Sequence, residues 1–477
     1  MLMLYIIYIH GEDNFSQKKD IIIRKQEANS PGKAKLVEGP IITSLFKLSA
    51  PMLVGLAAIT VFNLADAFFI ARLGTTELAA ISFTFPVVVL IAGLTLGIGV
   101  GVTAIIAQQI GKGEFEEVRR LTRDGLILAI SIVVIVCTVG VLTIDPVFRM
   151  MGASEDILPF IKEYMLIWYS GVAFVIIPMV GNSAIRGTGN TLFPALIMVF
   201  AALVNIILDP ILIFGFGPVP AMGLRGAAIA TVIGRGTTMV FSLWVLIKRE
   251  KLLSLSIPRI SELWSHWKSI MVVGGPAGLT SVITPVAAAF ITRLVSTHGP
   301  VAVAGIGAGV RVEQFVNMIP IALGSGLAPF IGQNWGAGHR DRVREAIRLS
   351  NRFLFLTGLT VYIIVAILAN PISNTFTSDA EVARIMSMFL QIVLIGFSME
   401  SLFIVSASSF NALRKPKQAL SLHMIRLFAF HVPLAYAGSM IGGLIGIFIG
   451  LAIAKILTGV VGYVWIRRVG KRDLFSN

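Results

Sequence analysis

The sequence predicts an all-α polytopic membrane protein: twelve transmembrane helices in two six-helix lobes, related by a pseudo-two-fold axis along the membrane normal. Three observations predict it. The 477 residues are 56% hydrophobic and only 13% charged, where a soluble chain carries about 25% charged residues. Apolar stretches of roughly 17 to 25 residues recur throughout, each long enough to cross ~30 Å of hydrocarbon as a helix. The chain also aligns with itself when Gly74 is set against Gly299.

Lipid offers a bare backbone no hydrogen-bond partners, so spans must be helices or a closed barrel, and runs apolar on every side exclude barrel alternation. Mean hydropathy of +0.86 agrees. The expected spans are 43–71, 76–109, 122–144, 157–185, 191–215, 223–247, 269–296, 301–334, 348–369, 382–411, 418–440 and 443–466.

The net charge of +14 could suggest nucleic acid, but the basic residues sit in alternate loops. The N-terminal segment and every second loop after it hold 29 of the 39 Lys and Arg residues. The opposite side holds six: Arg72, Arg149, Lys162, Arg225, Arg293 and Arg384. This is the positive-inside pattern. It implies a multi-pass protein of the cell membrane with both termini cytoplasmic, and it requires an even number of spans. Membrane lipids surround such a chain; neither a nucleic acid nor an obligate protein partner is expected.

The domains follow. Residues 1–40 read as a disordered cytoplasmic tail, since the apolar Met1 to Ile9 stretch is too short to span and no cleavage site follows. Residues 41–247 form the N-terminal lobe, 248–268 a charged cytoplasmic linker, 269–468 the C-terminal lobe and 469–477 a cytoplasmic tail. Cys137 is the single cysteine. No disulfide framework, structural metal or cofactor is indicated, and nucleophile and phosphate-loop motifs are absent, so no enzyme is expected.

The self-alignment sets Gly74–Arg123 on Gly299–Arg348 without a gap, pairing Gly99/Gly324, Gly101/Gly326, Gln108/Gln333, Gly111/Gly336, Gly113/Gly338, Val118/Val343 and Arg119/Arg344. The same offset pairs Pro51 with Pro276. Helix-ending glycines and loop arginines do not coincide through shared hydrophobicity alone. Six spans per half is even, so both halves share one orientation, the parallel-repeat plan of transporters whose two bundles rock about a central cavity.

Charges inside spans are costly, and a retained carboxylate usually faces water or a polar cavity. Asp66 lies ~13 Å past the midpoint of span 1 and Asp209 ~9 Å past that of span 5, so both reach the outer half of one lobe. Asn205 shares a helical face with Asp209, and Asn63 shares one with Asp66. Pro210 removes a backbone donor and favours bending, as does Pro51 in span 1. Two carboxylates with amides could bind H+ or Na+ reversibly; alternatively each Asp pairs with Arg235 or a backbone donor to lock the bundle. Arg311, Glu313, Glu400, Arg426 and Lys455 form a near-balanced polar set in the other lobe, for ion pairing or substrate contact. The repeat partner of Asp66 is Ile291, which confines the candidate ion chemistry to one half. Met198 and other Met and Phe side chains could line a cavity for varied compounds.

From residue 43 onward, PMLVGLAAITVFNLADAFFIAR from Pro51 with the following LGTTELAAIS, Gln108-Gln109-Ile-Gly-Lys-Gly with its counterpart at Gln333, AIRGTGNT from Ala184, Asn205-x-x-x-Asp209-Pro210 and GAAIAT from Gly226 together carry a resemblance to the multidrug and toxic compound extrusion (MATE) transporters. It implies the branch whose ion site lies in the N-terminal lobe, formed by Asp66, Asp209, Asn205 and Thr231 with Asn182 and Tyr164 nearby. It further implies antiport of extracellular H+ or Na+ against small amphipathic, often cationic, compounds. A flippase for lipid or lipid-linked saccharide from the same superfamily is the alternative, kept open by the cations within spans.

Overall fold

The computed structural model describes residues 34–254 and 256–473, which are almost entirely helical, with one isolated bridge between Phe216 and Val219. The Met1 to Ile9 stretch and most of the expected 1–40 tail lie outside the described residues. The first lobe contains α1 (Ile41–Ala71), α2 (Thr75–Lys112), α3 (Phe115–Leu142), a bent α4 (Leu158–Ser170 and Ala173–Gly187), α5 (Leu192–Phe214) and α6 (Gly223–Trp244). A π-turn, Val245–Arg249, continues α6. The second lobe contains α7 (Ile260–Ser296), α8 (Pro300–Gly336), α9 (Arg340–Ile367) and α10, which runs from Ala380–Val393 through a 3-10 turn into Phe397–Ala412. The remaining stretch, Pro416–Val469, is apolar enough to cross a membrane but far too long for one crossing.

That last stretch is two helices. Gly442 and Gly443 leave helical geometry, and Gly443 has φ 56° and ψ −134°, a backbone that only glycine adopts without strain. The arms fold back tightly, because a Cβ on Gly446 would overlap the Gly438 carbonyl and one on Gly450 the Leu434 carbonyl. The arms, 416–442 and 443–473, are α11 and α12, so twelve spans result. A π-helical stretch, Ile425–His431, interrupts α11.

Helix ends carry ordinary capping chemistry. α2 ends at Gly113, left-handed at φ 80°, which lets the chain reverse and satisfy the last carbonyls. α10 begins with Asp379, whose side chain accepts the Glu381 and Val382 N–H groups. Glu116 and Glu117 occupy the first turn of α3, where negative charge complements the helix dipole.

The repeat persists to the residue. The offset that carries Gly74 onto Gly299 also carries both ends of α3 onto those of α9, the start of α2 onto that of α8, and the start of the short helix Ile144–Met150 onto that of Ala369–Phe376. The lobes meet through reciprocal contacts related in the same way. A Cβ on Gly111 would overlap the Gln333 carbonyl, and one on Gly336 would overlap the Gln108 carbonyl. A Cβ on Gly101 would stand 3.1 Å from the Gly274 nitrogen, and one on Gly326 would stand 2.8 Å from Ser49 Oγ. Gln108 donates Nε2 to the Ala412 carbonyl at 2.7 Å, and Gln333 donates Nε2 to the Gly187 carbonyl at 3.1 Å. Within each set the repeat maps one contact onto the other. All lie near the end of the bundle where α1 begins and α12 finishes, so the seam is shut on that basic side.

Gly336→Val is therefore expected to prise the seam open. In a Cys137→Ser background, Ala107→Cys sits at a position of 0% exposure. It should resist a water-soluble maleimide until Gly336→Val is added, and should then label.

Two boundaries differ from the sequence expectation. α7 begins at Ile260, well before the expected 269, so much of the expected linker is helix. Glu262 and Lys268 made it read as linker, yet His266 and Ile270 are buried on its inner face. Within the expected tail, Leu36 is docked rather than loose. Leu36 is 7% exposed; its N–H donates to Gln333 Oε1 at 3.2 Å and its carbonyl accepts from Asn334 Nδ2 at 3.0 Å.

Candidate functional site

Close packing of α5 against α1 on one side and α6 on the other assembles the N-lobe site. Gly55 of α1 lies against α5, where an added Cβ would stand 3.1 Å from both Ala195 Cα and Met198 Sδ. Gly226 of α6 would overlap the Leu212 carbonyl if it bore a side chain, and a Cβ on Gly234 would stand 3.4 Å from Asn205 Cβ. At Gly226 glycine is needed because the two backbones meet, as small residues permit in membrane bundles, while Gly234 leaves room for an ordinary contact. α1, α5 and α6 consequently present Asp66, Asp209 and Thr231 toward the same end.

Asp66 lies five residues before the end of α1 and Asp209 five before the end of α5, each about 8 Å from the helix terminus opposite the basic side. The two acids therefore sit at similar depth. Asp209 has 0% exposure and Asn205 3%. With its amide oriented to satisfy both neighbours, Asn205 donates Nδ2 to Asp209 Oδ2 at 2.8 Å and accepts the Thr231 N–H at 3.2 Å. A single side chain thus links α5 to α6 beside the acid. Tyr164, buried on the first arm of α4, lies within electrostatic range of Asp66, Asp209 and Arg235.

Asp66 differs from Asp209 in one respect. Its Oδ1 is buried yet meets no hydrogen-bond donor among the described residues, a costly condition for a carboxylate oxygen. The alternative in which Arg235 neutralises the acids by direct pairing is not realised: among the described residues Arg235 forms no ion pair with either. Its guanidinium stands over the Phe62 ring at 5.7 Å, a cation–π contact one turn before Asp66 on α1, so it acts on Asp66 through space without bonding it. A protein oxygen with negative charge, no donor and little water is chemically suited to take up a proton or a small cation.

Other expected residues are placed elsewhere. Asn182 accepts from Ser242 Oγ at 3.0 Å. Ser242 is eleven residues beyond Thr231 on α6, which sets Asn182 ~16 Å along the bundle toward the basic side. Asn63 is exposed, and Met198 packs between α1 and α5. Helix is continuous through Pro51 and Pro210.

In the second lobe four of the five expected charges form one network. Lys455 of α12 bonds Glu313 Oε1 at 2.5 Å and lies 2.9 Å from Glu400 Oε2, while Arg426 bonds Glu400 Oε1 at 2.5 Å. Arg311 stands apart, exposed and without an ion pair among the described residues. Two residues on a helix are about 200° apart, so Arg311 and Glu313 face different neighbours. Arg426 belongs to the π-helical stretch, and its carbonyl bonds His431 Nδ1 at 3.0 Å.

One cluster escaped the sequence reading. His266 at the start of α7 meets Asp124 Oδ2 at 2.6 Å and Glu117 Oε1 at 3.0 Å, both on α3. Arg123 Nε holds Asp124 Oδ1 at 2.6 Å. Asp124, Glu262 and His266 bring ligand atoms within 4.8 Å of one another, but both Asp124 oxygens are already engaged, so the arrangement is an ion network fastening α7 to α3. Partners this remote along the chain leave no local signal.

The MatE family profile matches residues 51–211 and 276–437, once in each half, with starts at Pro51 and its repeat partner Pro276. The chain belongs to the MATE family. It is similar to the FAD transporter of Shewanella oneidensis, 36% identical over 434 residues, covering 91% of this chain and 96% of that protein. It is also similar to the probable multidrug resistance protein NorM of Halalkalibacterium halodurans, 27% identical over 349 residues, 71% of this chain and 75% of the relative. Among solved structures, the Vibrio cholerae MATE transporter VcmN in its bent form superposes with a TM-score of 0.85 at 30% identity, covering 90% of this chain and 97% of that one. Family membership makes this MATE protein a multi-pass membrane transporter and not an enzyme.

Proposed function

We propose that this MATE protein is a secondary active exporter in which H+ or Na+ binds at Asp66 and Asp209 and drives an organic compound outward by alternating access. The observation that carries the reading is the buried, donor-less Oδ1 of Asp66 together with a fully buried Asp209 held by Asn205, which is itself anchored by the Thr231 N–H. The basic side is the cytoplasmic face of the cell membrane. The coupling ion then enters from outside, close to both acids. Coupling requires the ion to favour one lobe arrangement over the other, and the sealed seam with reciprocal glycine contacts supplies a defined arrangement to favour.

For the substrate, the relationship to an FAD transporter, 36% identical across nearly the whole chain, favours a flat, phosphate-bearing dinucleotide over the cationic compounds the family resemblance alone implies. Arg235 stacked on Phe62 offers such a molecule a cation beside an aromatic ring. Proteoliposomes preloaded with substrate and given an inward H+ or Na+ gradient should release FAD about tenfold faster than a planar organic cation, a difference of about 1.4 kcal/mol. Equal or greater movement of the cation would return the protein to the multidrug class.

A further inference from the structure

Outside the ion site, the second lobe carries a crevice of ≈ 950 Å³ between α9, α10 and α12 at the basic end of the bundle. Its walls divide by chemistry. Arg344, Arg348 and Arg352 recur every four residues along α9, so they lie one above another on a single helical face, and Arg467 of α12 faces them across the opening. Among the described residues no acid lines it. Further into the bilayer the walls turn apolar with Phe355, Leu356 and Val460. Leu356 is 62% exposed and Val460 41%, so the crevice opens sideways to lipid.

Protein partners do not consume the two deeper arginines of α9. Arg348 reaches only Glu345, its neighbour one turn away, at 3.6 Å with both side chains largely exposed, a pair of little strength. Arg352 forms no ion pair among the described residues. Between them Asn351, 5% exposed, lines the same crevice, and its Oδ1 meets no donor. Val460 also borders a second crevice of ≈ 530 Å³ walled by Trp465 and Arg468, which gives apolar grooves on both sides of one ridge.

We infer that this crevice is a binding site for one anionic phospholipid of the adjacent leaflet, its phosphate held by Arg348, Arg352 and Arg467 and its acyl chains lying in the grooves beside Val460. Planar guanidinium groups match phosphate oxygens in pairs, and basic pockets between helices at the membrane surface select acidic headgroups. Asn351 adds an acceptor for a headgroup hydroxyl. A free phosphate would leave the apolar part of the crevice unfilled.

Native mass spectrometry of the full chain, released from micelles containing equal phosphatidylglycerol and phosphatidylcholine, tests this directly. The parent protein should retain one phosphatidylglycerol preferentially. Arg348→Gln with Arg352→Gln should lower that retention about thirtyfold, at roughly 1 kcal/mol per basic contact. Val460→Trp, which keeps every charge but fills the ridge between the grooves, should also lower it. Arg149→Gln at the opposite end should leave it unchanged and controls for net charge. Equal retention of the two lipids, undiminished retention in the double variant, or displacement by millimolar inorganic phosphate would each overturn the assignment.

Discussion

Asp66→Asn should reduce gradient-driven export to an ion-independent leak, a fall of about 5-fold to 150-fold, given coupling free energies of about 1–3 kcal/mol. The substitution keeps the size of the side chain but removes the carboxylate whose Oδ1 is buried without a donor. Folding should be unharmed or improved, because a buried carboxylate oxygen without a hydrogen-bond donor is being removed. Asp209→Asn should have the same effect on coupling with a larger cost in stability, since Asp209 Oδ2 accepts from Asn205 and the pair ties α5 to Thr231 of α6. Thermal unfolding in detergent separates the two consequences. Both variants exporting at the parental rate in response to a gradient would remove the proposed site.

Lys455→Met should destabilise the second lobe by about 3–5 kcal/mol, the penalty for leaving a buried charge unpaired. Lys455 is 4% exposed and Glu400 3%, and the ammonium is the only cation touching Glu313 among the described residues. At about 2–4 °C per kcal/mol for a unit of this size, Tm should drop by about 6–20 °C. Adding Glu313→Met should recover part of the loss, because Glu400 then still has Arg426 at 2.5 Å. An unchanged Tm in Lys455→Met would mean that water reaches the network and that its burial carries no energetic weight.

How much of this was legible in the sequence follows from the range of each interaction. The twelve spans and the repeat were, because hydropathy and glycine punctuation are local signals; α3 and α9 even start and stop in register with the repeat. The shared depth of Asp66 and Asp209 followed from counting residues at a fixed rise. What required coordinates was rotation and distant pairing. Arg235 looked like a direct partner for the acids, but it stands over Phe62, one turn from Asp66 on α1, and pairs with neither. The five C-lobe charges were legible as a near-balanced set, but not which pairs with which: Glu313 is held by Lys455, on another helix far along the chain, and Arg311 stands outside the network. Asn182 was grouped with the acids by resemblance, and its bond to Ser242 shows it lies deeper on the basic side. The start of α7 and the docking of Leu36 were missed for a common reason: polar composition suggested loose segments, while one buried face of each is enough to fix it in place.

The coupling claim is tested most directly by ion flux with substrate present. Protein reconstituted at a known orientation, with no imposed gradient, receives a saturating substrate on the basic side while entrapped pH and Na+ indicators are read. The account predicts H+ or Na+ movement opposite to the substrate in the parent protein, and none in Asp66→Asn or Asp209→Asn. Substrate movement in the parent protein with no accompanying ion flux would contradict it.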